Sequence, residues 1–526
     1  MGLQTPATAP PNACPAAAPA KASLWRKAAF PLLISLLVIL AYAPALNKVT
    51  AADHIGYFAE LHGSRSLGAG LALADYANAR RYGRGDEVLY RPLMFIVMAV
   101  ENTLFGTNHR AWNLANLAFH ISACVALYFL LQRMQPALLA GMFACWAAVH
   151  PGAFEIVVWH HLGGYIIGVA LALAAVSQAM AAMTQPQEKG KRRIALCAFF
   201  MLLSMLFYEL MAIVCFALLF IAAAKALRKK LPVSTVAILI LPIAGYAALY
   251  AAHCSRARRW GYVDRHIPMS EVLSQPVRLS AVVTAVCVRW TLRVTVPTTM
   301  SYSTQPTQRI TIHNNDRRLA ATPDYLVLWG GLALVWAWSR GWRGLTSRWP
   351  WVFLAAVCFG GYAAATCVGR SPREAVSTGY YLYFPTLLGI VGLCAIWPWR
   401  SMKLKMRSAV IVALGCVIVL SAAQTSCESF RLHAVEKPAD AFLCALNRFV
   451  AQHHSEAGFS FRLMGVSPDL DPRITLIEGY PDDPRAPRTR PRLHEILFRP
   501  WACAPNPRYI LSWDEKNARL KIWKQP

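Results

Sequence analysis

The feature that most constrains this chain is a recurring apolar run, long enough to cross a bilayer and closed by a short basic loop. A transmembrane helix needs roughly 17 to 25 apolar residues. Runs of that kind lie near residues 28 to 46, 111 to 131, 136 to 150 and 155 to 182, with further candidates at 195 to 208, 210 to 224, 234 to 252, 324 to 339, 351 to 368, 379 to 397 and 408 to 424. They predict an all-α polytopic membrane protein with about eleven transmembrane helices. The chain is 56% hydrophobic and only 15% charged, with a mean hydropathy of +0.37, which excludes an ordinary soluble protein of this length.

Orientation follows from the short basic loops, because Lys and Arg in such loops are held on the cytoplasmic side. These loops carry Lys189, Lys191, Arg192 and Arg193; Lys225, Arg228, Lys229 and Lys230; Arg340, Arg343 and Arg348; and Arg400, Lys403, Lys405 and Arg407. All are cytoplasmic if the N-terminus is inside. Residues 1 to 27, rich in Ala and Pro, then form a disordered cytoplasmic N-terminus. The first apolar run, following Lys21, Arg26 and Lys27, is too long for a cleavable signal and reads as an uncleaved anchor. The loop 47 to 91 faces outward, as does a long loop 253 to 323 rich in arginine. Within that loop 281 to 298 fits an interfacial helix better than a span, because Arg289 and Arg293 would sit in hydrocarbon.

The formal net charge of +27 belongs to membrane-surface loops and comes with no nucleic-acid-binding signature. Cys124, Cys145, Cys197, Cys215, Cys358, Cys394 and Cys416 fall inside apolar runs and read as packing residues. Cys427, Cys444 and Cys503 lie in the outward tail, where pairing is open in an oxidising compartment. No Cys or His spacing reads as a zinc site. The Ala-, Arg- and Trp-rich composition suggests a bacterial inner membrane with a periplasmic active face.

From about 425 to 526 the composition turns polar. Residues 436 to 453 look helical, and Arg508 to Trp513 with Arg519 to Trp523 reads as a hairpin. A small α+β periplasmic domain after a transmembrane domain of residues 28 to 424 is the expectation.

Chemistry-bearing residues gather near the predicted outer face. Asp53 follows the first span, and Tyr90-Arg91-Pro92-Leu93 leads into an apolar segment ending at Glu101 and Asn102. Phe105-Gly106-Thr107-Asn108-His109 comes next. Asn113, Asn116 and His120 are spaced three and four apart, so they share one side of the second span. They read first as interhelical hydrogen-bonding residues. His150-Pro151, Glu155 and Trp159-His160-His161 follow, again predicted outside. Ionisable groups at membrane depth are candidate site residues.

These stretches, with Tyr381-Leu382-Tyr383-Phe384-Pro385 before a late span, resemble the C-type (GT-C) membrane glycosyltransferases. Within that superfamily they are most similar to bacterial relatives of the transmembrane tetratricopeptide-containing O-mannosyltransferases, without the repeats. The resemblance is best over residues 28 to 225, thinner to 424 and absent in the tail. Two positions depart from it: Asp53-His54 stands where the family often has two adjacent acids, and Tyr380 where it often has an arginine.

The resemblance implies transfer of a sugar from a polyprenyl-phosphate carrier to an envelope lipid, glycan or protein acceptor, with inversion. Asp53 would be the base that deprotonates the acceptor hydroxyl. Arg91, with Tyr90 and His109, would hold the donor phosphate. His150, Glu155, Glu101 and His160 would position substrate. A divalent metal is compatible with such a site but not required, and no metal ligand is assigned. The rival readings are a transporter or flippase for a lipid-linked substrate and an inactive scaffold. Transporters tend toward internal repeats, and no convincing repeat is present.

Overall fold

The computed structural model describes residues 24–47, 90–106, 108–183, 187–228, 231–259, 300–302, 312–314, 349–367, 383–397, 399, 402–466, 470, 501–502 and 506–525. Asp53, residues 281 to 298, residues 324 to 339 and Cys503 lie outside them. The described part is predominantly helical. It begins with α1 (Leu24–Tyr42), which runs into a 3-10 turn, Ala43–Asn47. Then come α2 (Pro92–Phe105), α3 (His109–Leu131) and α4 (Ala137–Ala148). A bent passage follows: a 3-10 turn Pro151–Ala153, a one-turn helix α5 (Phe154–Val158) and a second 3-10 turn, His160–Leu162. Beyond it lie α6 (Gly163–Ala182), α7 (Gln187–Phe207), a 3-10 turn Glu209–Met211, α8 (Ala212–Leu227) and α9 (Val233–Arg259). Two short strands, β1 (Met300–Tyr302) and β2 (Ile312–Asn314), pair antiparallel. Helices α10 (Trp349–Cys367), α11 (Tyr383–Ile396) and α12 (Leu404–His453) complete the helical part.

Six stretches are long and apolar enough to cross a membrane: Ala28–Asn47, His109–Leu131, His160–Ala182, Glu209–Leu227, Val233–Ser255 and Leu404–Ala434. A seventh results if Ala137–Ala148 and Pro151–Val158, bent by 51°, form one broken span. This is the helix set of a multi-pass membrane protein, but the expected count of about eleven is not reached among the described residues. The run 195 to 208 is the apolar end of α7, whose first turns carry Lys189, Lys191, Arg192 and Arg193. The apolar helices Trp349–Tyr362 and Tyr383–Ala395 are shorter than a span. The runs 136 to 150 and 155 to 182 divide differently from the expectation, with the break continuing to Leu162.

That break has a local cause. Pro151 lacks an N–H and disfavours helix at the residue before it, so α4 stops at Ala148. Stopping a helix inside an apolar interior leaves carbonyls without partners, and no water is there to take them. Side chains from neighbouring helices do so. Asn116 Nδ2 donates to the carbonyls of Val157 and Trp159, at 3.2 and 3.0 Å. His120 Nε2 lies 2.9 Å from the Ala148 carbonyl, and Thr425 Oγ1 donates to Val149 O at 2.8 Å. At the end of α1, Asn113 Nδ2 reaches Leu46 O at 2.9 Å and Ser429 Oγ reaches Ala41 O at 2.9 Å. The Asn113, Asn116, His120 stripe predicted from spacing is therefore used between helices to finish interrupted backbone.

The tail is built on the far half of α12, because the last span and the helix expected over 436 to 453 are one continuous element. Three strands pack against it: β3 (Phe461–Leu463), β4 (Tyr509–Asp514) and β5 (Arg519–Lys524). The hairpin β4–β5 pairs in the expected segments, Leu511 opposite Ile522. On its other edge β4 pairs with β3 in parallel, Phe461 opposite Tyr509. Tyr509, Leu511 and Trp513 alternate inward to meet Phe442, Leu446 and Phe449 of α12. Trp112, from the first turn of α3, and Phe105 belong to the same apolar cluster, so the tail docks on the membrane part. Cys427 and Cys444 are both unbridged. They sit seventeen residues apart on one helix, roughly 25 Å by helical rise, which excludes a disulfide between them.

Glu456 ties the end of α12 to the sheet. His453 Nδ1 lies 2.6 Å from one carboxylate oxygen and Tyr509 Oη donates to the other at 2.7 Å. The hydrogen bond from His453 first, then that from Tyr509, hold its pKa down at about 2, and Lys524 adds attraction. Asp514, hydrogen-bonded by Asn517 and Lys521, is likewise held at about 2. Each folded-state value lies below the ordinary carboxylate value, so the contribution is full above about pH 4.5 and is lost as pH falls toward 2. Hydrogen exchange of β4 should accelerate across that window. Glu456→Gln should flatten the response in part, and Glu456→Gln with Asp514→Asn should flatten it further.

Candidate functional site

Basic residues mark one set of helix ends, although the end of α9 beside His253 is basic as well, with Arg256, Arg258 and Arg259. Lys189 to Arg193 open α7, Lys225 and Arg228 close α8, and Lys403, Lys405 and Arg407 flank the start of α12. The opposite ends hold the acidic, histidine and aromatic residues singled out from the sequence, in two groups joined by α2.

The first group surrounds Arg91, the residue immediately before α2. Its Nε donates to Glu209 Oε2 at 2.7 Å and its Nη2 to Glu209 Oε1 at 2.5 Å, a two-pronged ion pair. The guanidinium also lies over the Tyr208 ring, 4.2 Å from its centre, an arrangement that suits a planar cation. Arg91 and Glu209 keep side-chain exposures of 15% and 30%. Tyr90 turns its ring toward His253, 4.8 Å between centres, and its carbonyl accepts a hydrogen bond from Tyr246 Oη at 3.2 Å. The α2 terminus itself favours anions: Pro92 occupies its first turn, and no side chain caps it.

Glu209 owes its place to the break between α7 and α8. Tyr208 is extended, and Glu209 opens a three-residue 3-10 turn, so the chain breaks between the two apolar helices and the carboxylate sits at the break. Its pairing with Arg91 was not foreseen, nor was the packing of Tyr208, Tyr246 and His253 around it. The legible signal was a lone acid between two apolar runs.

The second group forms around His160. Its Nε2 hydrogen-bonds Asn113 Oδ1. Because Asn113 Nδ2 is used on Leu46 O, Oδ1 is the acceptor and His160 carries its proton on Nε2. Trp112 and His109 stack on the His160 ring, with centres 6.2 and 6.5 Å apart. Tyr383 Oη lies 3.0 Å from His120 Nδ1. Since His120 Nε2 faces a carbonyl, it is the donor there and Nδ1 accepts from Tyr383.

His150 and Glu155 lie in the bent passage, and their surroundings differ from the outward loop expected. His150, Glu155, His160 and His161 are all 5% exposed or less. His150 Nδ1 accepts from the Gly152 N–H at 3.0 Å and so caps the first 3-10 turn. Glu101, on α2, is buried, and neither of its carboxylate oxygens has a hydrogen-bond partner.

Tyr90 and Arg91 therefore stand together, whereas His109 is separated from them by the 14 residues of α2, roughly 21 Å of helix. Asp53 is outside the described residues. No group of three or more His, Cys, Asp or Glu suited to a metal ion occurs among the described residues.

Gly106 makes the turn from α2 to α3 possible. Its φ is +51°, in the left-handed region, and its carbonyl accepts from Trp112 Nε1 at 3.1 Å. An added Cβ would meet nothing within 4 Å, so Gly106→Ala should cost only backbone strain, about 1 to 3 kcal/mol. Thermal unfolding in detergent should register that loss, and a larger one for Gly106→Val.

Among solved structures, the chain is similar to ArnT from Cupriavidus metallidurans bound to undecaprenyl phosphate, with a TM-score of 0.46 and 11% identity over 84% of each chain. For ArnT in the apo state the TM-score is 0.40, with 12% identity over 84% of this chain and 83% of that one. The archaeal oligosaccharyltransferase AglB from Archaeoglobus fulgidus, in complex with an inhibitory peptide and a dolichol-phosphate, gives 0.43 and 11% over 93% of this chain and 70% of that one. No family model matches the chain, and no curated protein matches it.

Proposed function

We propose that the protein is a membrane glycosyltransferase that takes a sugar from a polyprenyl-phosphate carrier and passes it to an envelope lipid, glycan or protein. The observation that carries this reading is Arg91: a guanidinium at a helix N-terminus, over the Tyr208 ring and already engaged by an oxyanion in the geometry a phosphate would use. Leaving-group phosphate charge grows as the glycosidic bond breaks, and a pre-oriented cation stabilises it without reorganisation. Asp53 remains the assigned base for the acceptor hydroxyl, with inversion at the sugar. Tyr90 lines the Arg91 end.

His109 and His160, about one helix length away and beside the tail, are assigned to the acceptor side, with His150, Glu155 and Glu101 shaping the buried floor. The acceptor hydroxyl must itself reach the sugar carbon beside Arg91, so His109 and His160 would hold a distal part of the acceptor rather than its reacting group. We assign a periplasmic active face and a cytoplasmic N-terminus, an orientation supported by the short basic loops around Lys191, Lys225 and Lys403.

The test is transfer of labelled sugar from a panel of synthetic polyprenyl-phosphate sugars by the protein in nanodiscs, with cell-envelope extract as acceptor. Turnover abolished by Asp53→Asn and by Arg91→Ala supports the reading. Transfer indifferent to Asp53→Asn moves the base to another carboxylate. No transfer from any donor, with flipping of a lipid-linked substrate across the bilayer when the protein is moved to sealed proteoliposomes, overturns the enzyme in favour of a transporter.

A further inference from the structure

We infer that Glu209 is an exchangeable counter-ion for Arg91: its carboxylate occupies the place of the donor phosphate in the empty site, leaves when the phosphate binds, and returns to help expel the phosphate product. The inference deepens the donor-site reading above and rests on it.

The geometry supplies the argument. The phosphodiester of the donor, the phosphate monoester of the product and a carboxylate all present paired oxygens to the same two-pronged edge of a guanidinium. On Arg91 that edge is Nε with Nη2, and Glu209 Oε2 and Oε1 fill it at 2.7 and 2.5 Å. A phosphate cannot take the same two donors while the carboxylate holds them, and a second anion beside Glu209 would be repelled. Exchange replaces one oxyanion by another, so the guanidinium is never left without a partner.

The surroundings allow that exchange. Glu209 lies in a three-residue 3-10 turn between α7 and α8 rather than within a helix, and its side chain is 30% exposed. Rotation about its own side-chain bonds can carry the carboxylate into water. Tyr208 meanwhile keeps the guanidinium plane oriented from its other face, 4.2 Å away. Tyr165 packs edge-on against that ring with centres 4.5 Å apart, and Tyr165 Oη is hydrogen-bonded to Tyr362 Oη at 2.7 Å. Arg91 therefore stays in register when Glu209 lets go.

Glu209 is on this account a positioning residue that acts through Arg91, and its effect has a sign that a merely structural role does not share. Removing the charge should strengthen phosphate binding, whereas removing a simple brace for Arg91 should weaken it. The probe is farnesyl phosphate, titrated against full-length protein in nanodiscs made of zwitterionic lipid, with farnesol as the uncharged control.

Glu209→Gln should bind farnesyl phosphate about five- to ten-fold more tightly than wild type, with farnesol unchanged. In turnover it should lower KM and also lower kcat, because product leaves more slowly. Arg91→Ala with Glu209→Gln should bind no better than Arg91→Ala alone. Weaker binding by Glu209→Gln, with Arg91→Ala also weak, overturns the exchange and leaves the phosphate site standing. Undiminished binding by Arg91→Ala overturns the phosphate site itself. Should Glu209→Gln fail to fold, Glu209→Asp, too short to reach both nitrogens, reads the same sign: tighter binding supports exchange and weaker binding refutes it.

Discussion

Arg91→Ala should reduce sugar transfer by about a hundred- to a thousand-fold, the range expected when a pre-oriented group stabilising a developing oxyanion is deleted. Arg91→Lys should recover little of that loss. A lysine is a point charge on a flexible stem; it cannot supply the two donors that the Arg91 guanidinium gives Glu209, nor does it offer a planar cation over the Tyr208 ring. The substitution also strands Glu209, so part of any loss could come from a weakened fold. The double variant Arg91→Ala with Glu209→Gln separates the two: it should regain the melting temperature lost by the single variant and none of the transfer. A double variant that regains transfer would show that Arg91 acts only by balancing Glu209.

Trp112→Ala should destabilise the protein by about 3 to 5 kcal/mol. The indole is 1% exposed and lies in the tail cluster with Phe442, Phe449 and Leu511, edge-on to Phe105, while also stacking on His160. Its Nε1 satisfies the Gly106 carbonyl, so alanine removes packing and strands a backbone acceptor together. Trp112→Phe keeps most of the packing and loses the hydrogen bond, for about 1 kcal/mol. Limited proteolysis should distinguish them: the alanine variant should be cut more readily in the tail while the membrane helices stay intact. Equal resistance in all three proteins would mean that the tail docks without Trp112.

What the sequence revealed follows from how local each signal is. Long apolar runs give helices by composition, and the Asn113, Asn116, His120 spacing predicts a shared face, so their use between helices was readable. The hairpin Tyr509–Asp514 with Arg519–Lys524 was readable too, since its strands alternate and nearly adjoin. Its parallel partner Phe461–Leu463 was not, because three residues carry no pattern and the pairing spans more than forty residues of chain. Burial of His150 and Glu155 was missed for a related reason. Polar residues after an apolar run look like a loop, and only the Asn116 and Thr425 hydrogen bonds from distant helices make a buried break tolerable. Arg91 stood out in the sequence beside Tyr90 and Pro92, but its partner Glu209 lies 118 residues away, beyond the reach of any spacing rule.

Helix α12 gives the tail a mechanical character. The 50-residue element is roughly 75 Å long at the usual rise, and it supplies both the last membrane span and the floor beneath the sheet. Tail and span therefore share one shaft, with Pro438 inside it between the end of the span at Ala434 and the sheet-bearing residues from Phe442 onward. A proline within a helix is where such a shaft bends. Any tilt that a change in bilayer thickness imposes below Pro438 reaches the sheet as a rotation about that point, resisted by the Trp112 contact. The tail is then a body that pivots with the last span rather than one that drifts on a slack tether.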